Sequence, residues 1–587
     1  MPRIAVLDRD KCKPEKCAKE CQNFCPGVRM GDETIVMDDE GKPLISEELC
    51  TGCGICVHKC PFSAIKIINL PEELEERCIH RYGPNGFALY GLPIPREGSV
   101  TGLIGKNGIG KTTALEILSG NLKPNLGDEG SASKEDLKDF FKGSELQKYF
   151  EDIGNKEISY KPQSISSLPS SVEGVCGDLL KGVDQRKKMS ELVETLDLSE
   201  VLDRDIGALS GGELQRLGIA AASLKEADLY YFDEPASHLD IYQRLNAAKA
   251  IRDLANYGKS VIVVEHDLAA LDYMCDYVHV VYGTSNAYGV ISEPRGVKKG
   301  INVYLDGYLK EENVRFRSES IRFEARPPLE FQKGRSPFLD FPDLVKDFGD
   351  FDLVAEGGSI FPGEILGILG PNATGKTTFV KMLAGDLEPT EGEVDLDLQI
   401  AHKPQYPEPK FRGTVREYLV DRTSKMDQAF KNEVLIPLNI DDLLENYIQN
   451  LSGGEIQRTV VAACLGKTAD LYLLDEPSAY LDVEQRLALA RTIKRRIESE
   501  EASAFVVDHD VLTVDYLSDR LFVFTGEPGS KGRARGPYEM EEGMNLFLKE
   551  VGITFRRDPR TGRPRVNKPQ SRLDKKQRNE GEYYYTG

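Results

Sequence analysis

The sequence predicts an α/β protein made of two tandem copies of one phosphate-binding domain, preceded by a small cysteine-rich α+β domain. Three observations predict it. Five short motifs occur twice, in the same order. Most motif pairs sit 242 residues apart. Eight of the twelve cysteines fall within the first 60 residues, at metal-cluster spacing.

At 587 residues the chain exceeds what one core can organise, so several domains are expected. Hydrophobic residues make up 40% and charged residues 29%, which is ordinary globular composition. No run of about 18 apolar residues occurs, so no membrane span is expected. The first residues, MPRIAVLDRDKC, lack an apolar signal core, and a cytoplasmic, monomeric protein with an intramolecular domain pair is expected. The formal charge of −21 argues against general coating of nucleic acid but permits a local basic patch.

The expected domains are 1–75, cysteine-rich; 76–300, the first copy; 301–330, a hinge; 331–548, the second copy; and 549–587, a second hinge with a basic C-terminal tail. Cys50-x₂-Cys53-x₂-Cys56-x₃-Cys60-Pro61 is the run of bacterial-type ferredoxins and is specific for a [4Fe–4S] cluster. A zinc ribbon would need two CxxC pairs and no Cys-Pro ending. Cys12-x₄-Cys17-x₃-Cys21-x₃-Cys25-Pro26 is a looser version. In two-cluster ferredoxins the cysteine before proline serves the other cluster. That resemblance groups Cys12, Cys17, Cys21 and Cys60 around one cluster and Cys25, Cys50, Cys53 and Cys56 around the second. A structural role and electron transfer both remain open for them. Cys78, Cys176, Cys275 and Cys464 read as buried thiols in a reducing compartment.

GKNGIGKTT at Gly105 to Thr113 and GPNATGKTT at Gly370 to Thr378 each follow an apolar run and open a helix. Glycine-rich backbone N–H groups and a helix N-terminus make a phosphate cradle. Gly105, Asn107, Gly108, Gly110 and Thr113 line the first; Gly370, Asn372, Gly375 and Thr378 line the second. Lys111 and Lys376 are placed for the β- and γ-phosphates, and the Thr112 and Thr377 hydroxyls for Mg²⁺. Apolar runs end at Asp233-Glu234 and Asp475-Glu476. The aspartates suit the Mg²⁺ shell and the glutamates suit polarising the attacking water. Gln163 and Gln405, each in Lys-Pro-Gln, would sense Mg²⁺ and water. His266 and His509 end further apolar runs and would contact the γ-phosphate.

Gln405, Ser452 and Glu476 lie 242 residues after Gln163, Ser210 and Glu234, whereas Lys376 lies 265 after Lys111. The first copy therefore holds 23 extra residues, placed at about 131–154. There Leu137, Phe140 and Phe141, then Leu146, Tyr149 and Phe150, fall at helical spacing around Lys142-Gly143-Ser144. Two short amphipathic helices are expected, read as a partner-docking appendage. Tyr82 and Phe87 are candidates to stack on adenine in the first site, and Phe348 in the second; core packing is the competing reading for each.

LSGGE at Leu209 to Glu213 and at Leu451 to Glu455 is by itself an ordinary helix start. Together with the other motifs it makes the two copies resemble the ABC ATPase superfamily. In that family the Ser-Gly-Gly of one domain caps the γ-phosphate held by the other. The resemblance thus implies two composite sites. Ser452, Gly453 and Gly454 would complete the site of Lys111; Ser210, Gly211 and Gly212 would complete that of Lys376.

The whole chain, with its two-cluster domain and its insertion in the first copy alone, resembles ABC subfamily E, the RNase L inhibitor-like ribosome-recycling ATPases. The implied cofactors are ATP/ADP, Mg²⁺ and two [4Fe–4S] clusters. The implied partners are the small ribosomal subunit, its rRNA and proteins; a class-one release factor or Pelota-like factor; and initiation factors. The family's distribution suggests an archaeal source. Between Phe555 and Arg578 ten Lys/Arg stand against two Asp, which reads either as a solvated tail or as a contact for RNA phosphate. An ATP-gated iron–sulfur electron carrier is the alternative function. A transporter motor has no use for the cysteine module, and no sustained heptads support a chromosome-type ATPase.

Overall fold

A computed structural model describes residues 3–69, 77–128, 130–165, 168–323, 336–394, 398–405, 411–423 and 426–585. The boundary expected near 75, the 324–330 part of the first hinge and the start of the second copy at 331–335 lie outside the described residues. The chain forms two compact units. One comprises Met1–Ala236, Ala247–His266 and Met274–Ser320; the other comprises Ser237–Asn246, Asp267–Tyr273 and Ile321–Gly587.

In the first unit the N-terminal strand Arg3–Leu7 pairs antiparallel with Ile65–Asn69, and Ile35–Met37 pairs with Pro43–Ile45. Short helices Glu20–Asn23, Pro26–Met30 and Ile55–Lys59 carry or flank the cysteines. This α+β domain is tied to the first copy by Asn85. Its buried amide receives the Ile45 N–H at 2.8 Å and donates to the carbonyls of Ala5 at 3.1 Å and Ile45 at 2.8 Å. An Arg81–Glu47 ion pair at 2.6 Å adds to the join.

The first copy's sheet runs in the order Ile158–Lys161, Leu229–Asp233, Ser260–Val264, Val100–Ile104 and Tyr277–Thr284, all parallel. An antiparallel continuation follows through Tyr288–Ile291. The three central strands are wholly buried, as their mostly apolar sequences require of strands with helices on both faces. The extra residues form helices Lys134–Phe140 and Glu145–Asp152, the first started by a Ser133–Asp136 capping box. Leu137, Phe141, Leu146, Tyr149 and Phe150 are buried in the copy's own core, where Phe141 and Phe150 stack at 4.9 Å. The Tyr149 hydroxyl meets Tyr231 at 3.0 Å. The apolar stripe of the insertion therefore faces inward, and its exposed face is polar.

The second unit repeats the sheet: Ile400–Lys403, Leu471–Asp475, Ser503–Val507, Ile365–Leu369 and Arg520–Glu527, again parallel. Lys531–Glu539 continues antiparallel. After the helix Met540–Val551 the chain does not trail off. Phe555–Arg557, Pro564–Val566 and Tyr584–Tyr585 form a three-stranded sheet beside the helix Arg572–Glu580.

This corrects both readings of the basic tail for three of its cations. Arg563, fully buried, pairs with Asp272 at 2.6 Å, and Arg565 pairs with the same carboxylate at 2.8 Å. Arg557, mostly buried, holds Asp515 at 2.9 Å. Guanidinium groups buried against carboxylates are neither solvated nor free for phosphate. Arg560, Lys568, Arg572, Lys575, Lys576 and Arg578 remain exposed, the last paired with Asp574 at 2.9 Å.

Candidate functional site

Each phosphate loop joins the central buried strand to a helix, Lys111–Leu118 or Lys376–Leu383. Gly110 and Gly375, at φ +87° and +93°, turn the chain into that helix, a conformation that favours glycine. A side chain at Gly110 would also strike Phe87, and one at Gly375 would press on Phe351. Lys111 Nζ donates to the carbonyls of Gly105 at 3.0 Å and Lys106 at 2.5 Å. Lys376 Nζ does the same to Gly370 at 2.9 Å and Pro371 at 2.6 Å. Burial lowers the Lys376 ammonium to about 8 against the pull of Asp240, Glu476 and Asp475. The second loop sets Ala373 at φ +58°, where an L-residue is strained by about 1–2 kcal/mol.

Asp233 and Asp475 each end a strand separated by one strand from the phosphate-loop strand of the same sheet. They are 0% and 1% exposed, and no carboxylate oxygen of either has a hydrogen-bond partner. Burial raises both; Asp233 reaches about 6, with Thr112 and Lys111 opposing and Glu234 adding to the rise. Buried, unpartnered carboxylates next to a threonine hydroxyl are the donor set of a hard cation, and they fit Mg²⁺.

The neighbouring glutamates are surrounded alike in both copies. Glu234 Oε1 accepts Gln163 Nε2 at 2.9 Å, and Glu476 Oε1 accepts Gln405 Nε2 at 2.6 Å. His509 Nε2 hydrogen-bonds Glu476 Oε1 at 2.9 Å, whereas His266 Nε2 stays 3.4 Å from Glu234. Burial alone would raise both carboxyls. The histidine, the phosphate-loop lysine and the glutamine outweigh it and hold each near 2, so both are ionised at neutral pH. Both glutamates lie at positive φ, +44° and +47°, a strained setting worth of order 1–3 kcal/mol.

The sequence motifs do not point to every group near these sites. The lysine of each Lys-Pro-Gln is buried and donates to the main chain of the Asp-Glu pair: Lys161 to Asp233 at 2.9 Å and Lys403 to Asp475 at 2.6 Å. Their repetition in both copies was the available signal. Asp240, from the first copy's sequence, accepts the N–H of Asn372 within the second unit at 2.8 Å; the repeat was its signal too, since Leu239-Asp240 recurs as Leu481-Asp482 at the 242-residue offset. Tyr82 is half-exposed, with its hydroxyl 3.3 Å from Thr113 Oγ1, and its ring lies 6.4 Å from that of Phe87. In the second copy Phe348 is 52% exposed, which removes the core-packing alternative for it, and its ring lies 6.5 Å from that of Phe351. Phe351 contacts Gly375 as Phe87 contacts Gly110, and the sequence reading missed it.

Ser210 and Ser452 cap the helices Gly211–Leu224 and Gly453–Leu465, each in a capping box with the glutamate three residues on. Gly211 and Gly453 are exposed beside them, with Gly212 and Gly454 partly exposed. The bland reading of LSGGE as a helix start thus holds in both copies. It leaves the glycine amides at the helix N-terminus accessible.

In the cysteine module Cys12, Cys17, Cys21 and Cys60 line one cavity. Burial pushes the Cys21 thiol up to about 11, with Cys60, Cys12 and Cys17 adding to it. Cys56 is raised to about 11 by burial and by Cys50 and Cys53. Cys25 is buried in the same apolar cluster. Thiols gathered this closely become thiolates only with a cation between them, and they fit cluster ligation.

The paired phosphate loops and strand-end Asp-Glu pairs, together with the gathered N-terminal cysteines, define a twin-domain ABC ATPase with two iron–sulfur clusters. Residues 95–237 and 357–479 match the family described as "ABC transporter". Residues 2–33 match "Possible Fer4-like domain in RNase L inhibitor, RLI", and 43–66 match "4Fe-4S binding domain". An uncharacterized ABC transporter ATP-binding protein of Methanocaldococcus jannaschii is 53% identical over 99% of this chain and 97% of its own length. Translation initiation factor RLI1 of Saccharomyces cerevisiae is 46% identical over 99% of this chain and 98% of its own. A structure described as "Model of ribosome-bound archaeal Pelota and ABCE1" matches with TM-score 0.92 and 55% identity, covering 99% of both chains. One of archaeal ribosomal stalk protein aP1 with archaeal ribosome recycling factor aABCE1 matches with TM-score 0.84 and 53% identity, over 88% of this chain and 100% of the other. The chain belongs to ABC subfamily E, the RNase L inhibitor family. It is an ATPase, with ATP, Mg²⁺ and two [4Fe–4S] clusters as its cofactors. Among the described residues no helix is long and apolar enough to cross a membrane.

Proposed function

We propose that this protein recycles ribosomes in the cytoplasm, splitting them into subunits through ATP-driven closure of its twin nucleotide-binding domains. The observation that carries the reading is the repeated set of Gln, His and phosphate-loop Lys around one ionised glutamate, within a chain that its relatives match from end to end.

Each site works through this chain's own groups. Lys111 and Lys376 leave their loop carbonyls for the phosphate oxygens. Mg²⁺, held by Thr112, Gln163 and Asp233 or by Thr377, Gln405 and Asp475, neutralises phosphate charge when bound. Glu234 and Glu476 orient and polarise the attacking water, with Gln163, His266, Gln405 and His509 fixing their carboxylates. Tyr82 and Phe87, and Phe348 with Phe351, hold the adenines. Ser452 to Gly454 close over the first triphosphate and Ser210 to Gly212 over the second, because an exposed helix N-terminus with glycine amides is an anion receptor.

Closure moves the iron–sulfur domain, which Asn85 fastens to the first copy. Its partners on this reading are the small ribosomal subunit, a release factor or Pelota-like factor and initiation factors; the descriptions of similar structures name a ribosomal stalk protein and ribosome-bound Pelota. Purified protein with ATP and a release factor should separate assembled ribosomes on a sedimentation gradient. Glu234→Gln with Glu476→Gln should retain ATP and stay on small subunits. Variants that do neither would overturn the reading.

A further inference from the structure

Glu234 and Glu476 sit in a backbone conformation that a side chain disfavours, so their surroundings must fix it. The fixing bonds are the same twice. The glutamate N–H donates to a strand carbonyl, Val264 at 2.9 Å or Val507 at 2.8 Å. The glutamate carbonyl accepts Lys161 Nζ at 3.4 Å or Lys403 Nζ at 3.1 Å. Its shorter bond comes from a different element. Gln215 Nε2 donates to the Glu234 carbonyl at 2.7 Å, and Gln457 Nε2 to that of Glu476 at 2.6 Å.

Gln215 and Gln457 are each 1% exposed and stand five residues after Ser210 and Ser452, on the helices those serines cap. Little more than one helical turn separates the Ser-Gly-Gly amides from the bond to the glutamate peptide. A helix packed along its length moves as a rigid body, so a shift at its N-terminus reaches that peptide.

We propose that Gln215 and Gln457 are positioning residues that couple the two ATP sites, each linking the helix that caps one nucleotide to the glutamate that acts on the other. The proposal rests on the composite-site reading above. When Ser210 to Gly212 engage the second nucleotide, Gln215 sets the peptide of Glu234 in the first site; Ser452 to Gly454 act through Gln457 on Glu476.

The test is steady-state ATP hydrolysis by the full chain carrying Gln215→Met and Gln457→Met, which keep side-chain length and remove the donor. Loss of a positioning bond should lower kcat about tenfold or more while KM for ATP stays within about twofold, and the unfolding midpoint should hold. A merely structural glutamine would instead move KM and the midpoint together. Gln215→Glu and Gln457→Glu, isosteric and without the amide donor, decide the matter if the methionine variants do not fold. Failure of both pairs to fold would assign the glutamines to stability and overturn the proposal. Ser210→Arg and Ser452→Arg serve as the control. If they abolish turnover while the glutamine variants keep wild-type kcat, the coupling is wrong and the composite sites stand. If they leave turnover unchanged, the composite-site reading fails.

Discussion

The Asp240 carboxylate accepts the backbone N–H of Asn372 at 2.8 Å, across 132 residues of sequence. Asp240 follows the Asp-Glu-Pro of the first copy; Asn372 belongs to the phosphate loop of the second. Both lie in one compact unit, and the Asp240 charge also acts on Lys376. Asp240→Ala leaves the Asn372 amide without its acceptor, at about 1–3 kcal/mol for a charged partner. ATP turnover should fall several-fold, with a lower unfolding midpoint by calorimetry. Wild-type turnover and midpoint would show that the bond does not shape the loop.

The two phosphate loops should not tolerate the same exchange. A Cβ at Gly108 would lie 2.5 Å from Asn286 Oδ1, at φ +72°. Gly108→Ala should therefore destabilise by about 1–3 kcal/mol and depress turnover. Ala373→Gly relieves strain at φ +58° and should leave stability within about 1 kcal/mol of wild type. Denaturant unfolding of the two single variants compares them directly.

Asp272, between Arg563 and Arg565, carries a pH signature. Burial would raise its carboxyl, but the two guanidinium groups win and hold it below the ordinary aspartate range. A depressed folded value stabilises the fold above the unfolded value, about 3.9, and this contribution is lost as pH falls through the folded one. Asp272→Asn should cost about 3–5 kcal/mol at pH 7, because two buried cations lose their partner. The difference from wild type should shrink below about pH 4. An unfolding series across pH would contradict the pairing if the gap were constant.

Cys12→Ser should remove the cluster of the Cys12, Cys17, Cys21 and Cys60 cavity and leave the other. Iron analysis should then find roughly half the wild-type content. Cys25→Ser, assigned to the other set, should also remove about half. Complete loss of iron from Cys12→Ser alone would show that the clusters do not assemble independently.

The core of the fold was legible because buried parallel strands write themselves as mostly apolar runs: Val100 to Ile104 and Ala504 to Val507 lie within strands that are wholly buried. The insertion was legible from the 23-residue excess in the Lys111-to-Lys376 offset, and its helices from Leu137, Phe140 and Phe141 and from Leu146, Tyr149 and Phe150, though spacing alone could not say that the apolar side chains turn inward. Charge patterns misled where tertiary partners decide. Arg563 and Arg565 read as tail because Asp272, which buries them, lies about 290 residues away. Phe351 was missed because its approach to Gly375 is a tertiary contact, made just ahead of the strand Asp352–Ala355, that no motif announces. Gln215 and Gln457 stand two residues beyond the recognised Leu-Ser-Gly-Gly-Glu motifs, and only the positive φ of Glu234 and Glu476 gives their hydrogen bonds a purpose.

The composite sites are tested most directly by an ATP analogue with a photoreactive group on its γ-phosphate, bound to the full chain carrying Lys376→Ala so that the first phosphate loop is the one occupied. Mass spectrometry of the digested adduct should place the label on the peptide containing Ser452, Gly453 and Gly454. Label on the peptide containing Ser210, Gly211 and Gly212 would contradict the arrangement.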